Sequence, residues 1–372
     1  MAHEGVIGDI VYNRGGIGGG ITSSLVLPEC FIGVEAELEH AYGPEEYTGG
    51  LWTRVSEGSM HQDGIEYVFS CPLRGTLITD ALEELEKLYK SCPPTTGNDT
   101  SLHVHVDVRD LTMKQVWKFI MLYTMFEIPL FKYSSSDRMD NIFCLSSKSA
   151  RVKVARYNDL LHFVKKGDTE RFIDRANTAG RYSSMNLQSI PRFGSLEFRG
   201  HKGEWQEQPI LTWINILMCL KRAVLDDTIP WEKPYLALKE MGLEAFTSYV
   251  FNSEYACLLR NKTFKKDVRT GCQVARSMVN FNKADKNRTV LKGCRNDKRY
   301  SLKSKHKKEQ PNERPVMTQL SPTALDLPIP PPSATPSNWR HTNFIIDDGA
   351  TGEERAALND AFQLVFDSRR GL

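Results

Sequence analysis

What most narrows the fold of this chain is a two-residue alternation, repeated in three separate segments, between apolar side chains and a restricted set of ionisable ones. In the first, Ile32, Val34, Ala36 and Leu38 interleave with Glu35, Glu37 and Glu39. In the second, Leu102, Val104, Val106 and Val108 interleave with His103, His105 and Asp107. In the third, Leu196 and Phe198 alternate with Glu197, Arg199 and His201. Successive residues of a strand point to opposite faces, so each segment reads as a strand with one apolar and one polar face.

A single strand of this kind fits any antiparallel sheet with one face in water. The polar faces argue for more than that when taken together. They present Glu, His, Asp and Arg without any Lys, whereas solvated faces draw on Lys, Thr, Ser and Gln. Carboxylates two apart on one strand repel unless a cation lies between them, so Glu35 and Glu37 read as ligands of a hard divalent metal. A fourth run, 58–71, turns at Asp63-Gly64 and enters a strand at Glu66 with Val68 and Ser70, which can add a carboxylate to the same cup.

Helical patterns separate these strands. Leu82, Leu85 and Leu88 within 78–89 predict an amphipathic helix, with Thr79 and Asp80 available as caps. Thr112, with Gln115 in the capping-box position, opens another that runs through Trp117, Ile120, Met121 and Phe126 toward Pro129. Further helices are expected over 158–177 and 209–225. Short strands alternating with longer helices are the pattern of an α+β or mixed α/β domain, and α+β is the class expected.

At 372 residues the chain exceeds one typical core, so a core with an appended region is expected. The reading divides it into a flexible Gly-rich segment (1–30), a folded enzyme core (31–260), a basic and Pro-rich disordered tail (261–340) and a short helical C-terminal segment (341–372). The glycine run Gly15–Gly20 lacks the Lys-Ser/Thr ending of a Walker loop. The 48 basic and 46 acidic residues are unevenly spread: 262–314 holds 17 Lys and Arg against five Asp and Glu, about +12, leaving about −10 elsewhere. Leu327–Pro332 is proline-rich, and Glu353–Phe366 reads as a short amphipathic helix. The eight cysteines include no CxxC pair and several lie in apolar runs, which fits reduced thiols in a cytoplasm. The N-terminus lacks a signal-peptide layout, and the apolar stretch around 210–220 is too short to span a bilayer, so no membrane association is expected.

The succession GVEAELE, DGIEYVFSCPL, SLHVHVD, RMDNIFC, then RYSSMNLQ with SLEFRGHKGE resembles the amidoligase family related to glutamine synthetase and the glutamate-cysteine ligases, over about 31–215. The resemblance implies a curved, largely antiparallel sheet, like that of glutamine synthetase. Its concave face would bind ATP and magnesium, activate a carboxylate as an acyl phosphate and let an amine attack it. By motif, Glu35, Glu37, Glu66 and Glu197 would hold magnesium, and Glu66, Glu197 and Arg199 would act in catalysis, with Arg199 as phosphate clamp. His103 and His105 would line the nucleotide-phosphate or metal site. Arg138 and Asn141 match the family's Arg-x-x-Asn block, and with Arg181 and Asn186 would contact nucleotide or substrate. A bacterial or a phage-encoded chain fits the resemblance equally. Phosphoryl transfer depends on cations placed at phosphate oxygens, and the planar fork of Arg suits that task.

Two other readings stand beside it. His103, His105 and a carboxylate could coordinate zinc in a hydrolase, although the Glu-rich remainder and Arg199 suit magnesium and phosphate better. The basic segment 262–314 could instead make a scaffold that grips a polyanion through salt-sensitive contacts.

Overall fold

The alternating segments pair with one another, and the register of that pairing decides which side chains meet. The structure is a computed structural model and describes residues 5–11, 15–41, 50–55, 64–96, 100–147, 151–179 and 181–280. Eight strands form one sheet: β1 (Ile17–Gly18), β2 (Ile32–Leu38), β3 (Trp52–Val55), β4 (Ile65–Phe69), β5 (Leu73–Arg74), β6 (Ser101–Asp107), β7 (Met185–Asn186) and β8 (Ser195–Lys202). β2 lies centrally, antiparallel to β6 on one side and to β4 and the first residue of β5 on the other. β8 follows β6, β7 lies beyond β8, and β3 lies beyond β4, all antiparallel. Among the named strands β1 against β5 is the parallel pair, and an isolated parallel bridge joins Leu145 and Ser183.

Nine α-helices accompany the sheet among the described residues: α1 (Thr76–Tyr89), α2 (Met113–Ser134), α3 (Arg151–Lys166), α4 (Thr169–Asn177), α5 (Ser189–Phe193), α6 (Glu207–Val224), α7 (Tyr235–Met241), α8 (Leu243–Leu259) and α9 (Phe264–Val279). The class is α+β. Helices α2 and α6 pack on the apolar face, where Val34, Ala36, Leu102, Val104, Leu196 and Phe198 are buried. The rings of Phe119 and Tyr123 lie 5.5 and 5.1 Å from that of Phe198.

Helix α2 opens as its sequence predicts. The Gln115 backbone N–H donates to Thr112 Oγ1 at 3.3 Å, and the Thr112 N–H donates back to Gln115 Oε1 at 2.9 Å. The helix does not stop at Pro129 but runs through it to Ser134. Proline has no N–H for the carbonyl four residues earlier, that of Met125. There α9 crosses closely: a methyl group at Gly271 would collide with the Met125 and Thr124 carbonyl oxygens.

Helix α9 also moves the expected boundary at 261. Phe264, Val268, Cys272, Ala275 and Met278 are buried, a three-to-four-residue period that docks the helix on α2. The basic composition of this stretch masks that stripe. The rest of the basic and Pro-rich segment, and the helix expected at 353–366, lie outside the described residues.

The glycine run is packed against the core as well. Ile17 N–H donates to the Pro72 carbonyl and Gly19 N–H to that of Arg74, both at 3.0 Å. Side chains at Gly16 or Gly18 would strike Phe31 or Arg74, so glycine here permits close approach of backbone rather than mobility. Helix α1 begins at Thr76, after Gly75, and takes Thr79 and Asp80 into its first turns instead of using them as caps. The helix expected over 158–177 is two, broken at Gly167 (φ +67°), where Asp168 caps α4 by accepting from the Arg171 N–H at 3.1 Å.

The sheet departs from strict alternation at one point. Leu102 pairs with His201 but Val104 pairs with Phe198, so a bulge on β8 inserts one residue. The insertion turns His201 away from Glu197 and Arg199, onto the helix face beside Trp213 (5.2 Å between rings) and Tyr133 (6.5 Å). His201 therefore does not share the polar face expected for it. No described helix is long and apolar enough to cross a membrane, and the seven described cysteines carry free thiols.

Burial lowers the His201 pKa to about 4. A histidine whose folded pKa lies below its unfolded value of about 6.5 stabilises the fold fully above that value and loses the contribution as pH falls toward the folded pKa. Wild type should lose about 3 kcal/mol from this group between pH 6.5 and 4, the shift converted at about 1.4 kcal/mol per unit. Urea unfolding across that range should give a shallower slope for His201→Phe; equal slopes would remove His201 from the account. Gly271→Ala should cost roughly 1–3 kcal/mol by forcing α9 off α2, measured as a lower urea midpoint.

Candidate active site

Strand register brings the ionisable residues together. Glu35 stands opposite His103 and Gly33 opposite His105 across β2 and β6. His105 stands opposite Glu197 across β6 and β8, and Glu197 opposite Asn186 across β8 and β7. On the other side of β2, Glu37 stands opposite Glu66 of β4. Directly paired residues share a face, so Glu35, Glu37, Glu66, His103, His105, Asn186, Glu197 and Arg199 lie on the side of the sheet opposite the main helix layer.

The centre of this face is the Glu35 carboxylate. One oxygen lies 2.9 Å from His103 Nδ1 and the other 3.4 Å from His105 Nε2. His103 is itself buried, with Nε2 2.7 Å from Ser101 Oγ, and the Ser101 hydroxyl donates to Glu37. His105 Nδ1 lies 3.0 Å from Ser195 Oγ, and its ring meets Phe193 edge-on at 5.6 Å. Arg199 Nη1 donates to Glu197 Oε1, while Asn186 Nδ2 donates to the other Glu197 oxygen at 2.7 Å.

These contacts set the charge states. Burial works to raise the Glu35 pKa, but hydrogen bonds from His103 and His105, with their charge, outweigh it and hold the carboxyl well below the usual range. Burial works to lower the His105 pKa, yet its bond to Glu35 and the charges of Glu197 and Glu35 raise it overall. Glu197 is likewise lowered: His105 and Arg199 overcome the effect of its burial. The Arg199 pKa is raised because the charge and hydrogen bond of Glu197 exceed its desolvation.

Glu35, His105 and Glu197 each offer one ligand atom, and these atoms lie within 4.8 Å of one another. A divalent cation could bridge them after small side-chain shifts. Two carboxylates and one imidazole suit magnesium-like and first-row divalent ions. The two histidines of the His-x-His pair thus divide: His105 joins this ligand set, whereas His103 is engaged by Ser101 and Glu35.

The remaining sequence candidates occupy other positions. Arg138 is buried behind the sheet edge, donating to the Thr100 carbonyl at 2.9 Å and to that of Arg199 at 3.2 Å, so it holds the bulge in place. Asn141 caps a short 3-10 turn by accepting from the Phe143 N–H at 2.8 Å. Arg181 is exposed, its guanidinium 4.8 Å from the centre of the Tyr182 ring.

Several contributors escaped the sequence reading. Ser101 and Ser195 sit two residues before His103 and Glu197, so the same period of two places them on the polar face. Glu127, buried in α2, left no such signal. It accepts from the Ser147 N–H at 2.9 and 2.8 Å and from the Ser184 hydroxyl, and so ties the segments that carry Ser147 and Ser184 to the helix layer.

Residues 66–220 match the model of the family described as "Putative amidoligase enzyme". That span runs from β4 into α6 and takes in Glu66, His103, His105, Glu197 and Arg199; β2, with Glu35 and Glu37, precedes it. The match covers less than half of the chain and is a likeness to that family. No curated protein and no solved structure matched the chain.

Binding of Mn2+, followed by electron paramagnetic resonance or calorimetry, tests the ligand set apart from any activity. Glu197→Gln and His105→Ala should each weaken it at least about tenfold, the usual order for loss of metal-site residues, and Arg181→Ala should leave it unchanged. Equal affinity in all four proteins would rule out this site.

Proposed function

We propose that the chain is an ATP- and magnesium-dependent carboxylate-amine ligase. In this reading it activates a carboxylate as an acyl phosphate and joins it to an amine, with an amino acid, a peptide or a protein as substrate. The observation that carries the proposal is the pairing, on one sheet face, of a divalent-cation ligand set with a guanidinium anchored beside it. The family match over 66–220 supports the amide-forming outcome.

Magnesium bound with ATP would neutralise phosphate charge as the terminal phosphoryl group moves to the carboxylate. Glu35, His105 and Glu197 are the residues to hold it. Arg199 is fixed by Glu197 through Nη1 and by the Phe143 carbonyl through Nε at 3.4 Å. That anchoring sets the guanidinium in advance, so it can stabilise developing charge with little reorganisation. Glu37 and Glu66 extend the negative face toward β4, where an amine arriving as an ammonium ion would be drawn. Ser101 and His103 brace Glu37 and Glu35 from behind.

The order of Glu, His and Glu-x-Arg blocks on neighbouring strands supports a relation to the sheet of glutamine-synthetase-like ligases. The free thiols favour a cytoplasmic setting, that of the host if the chain is phage-encoded. A zinc hydrolase built on both histidines fits less well, because His103 is occupied by Ser101 and Glu35.

The test is phosphate release from ATP with magnesium across a panel of carboxylates and amines. Release should require both partners, and Glu35→Gln and Arg199→Ala should each lower kcat by about 100-fold or more with circular dichroism unchanged. Zinc-dependent hydrolysis without amine-dependent release would overturn the proposal.

A further inference from the structure

Beside Arg199 the surface changes character. Phe143 and Tyr182 are 48% and 42% exposed, large values for neighbouring aromatic residues, and their rings meet edge-to-face at 5.5 Å. Arg181 lies over the Tyr182 ring at 4.8 Å. Two adjacent rings open to water suggest a surface built to be covered.

The surface is rigidly mounted. Leu145 N–H donates to the Tyr182 carbonyl at 2.9 Å, Ser184 N–H to that of Leu145 at 3.1 Å, and Arg199 N–H to that of Ser184 at 2.8 Å. Buried Glu127 fastens Ser147 and Ser184 to α2. The Arg199 Nε contact to the Phe143 carbonyl joins this rim to the polar face.

We propose that Phe143, Tyr182 and Arg181 recognise the carboxylate-bearing substrate, and that they select an acid with a flat, apolar body over a small polar one. The inference rests on the ligase reading in one respect, the placement of Arg199 at the transferring phosphate. In an acyl phosphate the acyl carbon is bonded to a phosphate oxygen, so the body of the acid must lie within a few bonds of the group Arg199 holds. Phe143 is the rim residue Arg199 touches. A nucleobase is separated from the transferring phosphate by two more phosphates and a ribose. An ammonium group would be repelled by the Arg181 and Arg199 guanidinium groups, and the three rim residues include no carboxylate to hold it. The rings supply faces for a planar apolar body, and Arg181 supplies a partner for a second anionic or carbonyl group.

Calorimetric titration of the full chain with 3-phenylpropanoate and butanoate measures the preference directly. Hydroxamate formation with ATP, magnesium and hydroxylamine then measures turnover of the same acids. Wild type should bind 3-phenylpropanoate about tenfold or more tightly than butanoate. Phe143→Ala and Tyr182→Ala should each reduce that ratio several-fold and Tyr182→Phe should preserve it, with the KM for ATP unchanged. Equal affinity for the two acids, or ring variants that alter the KM for ATP instead, would overturn the proposal. Ring-dependent binding without any hydroxamate would sustain the rim and count against the ligase reading.

Discussion

Like charges facing one another across a sheet destabilise it, and this face carries at least four carboxylates within four successive strands, β4, β2, β6 and β8. It can exist because cationic or hydrogen-bonding groups stand beside Glu35, Glu37 and Glu197. His103 and His105 stand on either side of Glu35, and Arg199 stands against Glu197. These neighbours favour the charged forms of Glu35 and Glu197 despite their burial.

The helix layer makes a second use of a buried carboxylate. Glu127 accepts from the Ser147 backbone N–H and the Ser184 hydroxyl, and so serves as a fastener. Through it, the segments that carry Asn186 and Phe143 are referenced to α2 rather than to the sheet edge alone. Helix α2 is in turn met closely by α9 at Gly271, beside the Met125 carbonyl that Pro129 leaves without its helical donor.

The polar face was legible from sequence because strand periodicity is local: Glu35, Glu37, His103, His105, Glu197 and Arg199 follow from counting by two. Their mutual register was not, since pairing is set by turns and by packing across many residues. Arg138 matched a block of the right composition, yet composition does not tell a guanidinium turned inward to carbonyls from one facing a site. Helix α9 was overlooked for a related reason, its charge outweighing a five-residue apolar stripe in any average over the segment. Glu127 lies in an apolar helix far from the strands, and its partners come from segments that sequence spacing cannot bring together.

The bulge on β8 divides one strand into two regimes. Up to Arg199 the odd-numbered residues lie on the polar face and the even-numbered ones in the core; beyond it His201 lies in the core, and Lys202, opposite Ser101, takes the polar side. Selection acting on this strand would therefore change phase at residue 200. Substitutions that keep volume and apolarity would be tolerated at His201 for the same reason that they would be excluded at Arg199, two positions away.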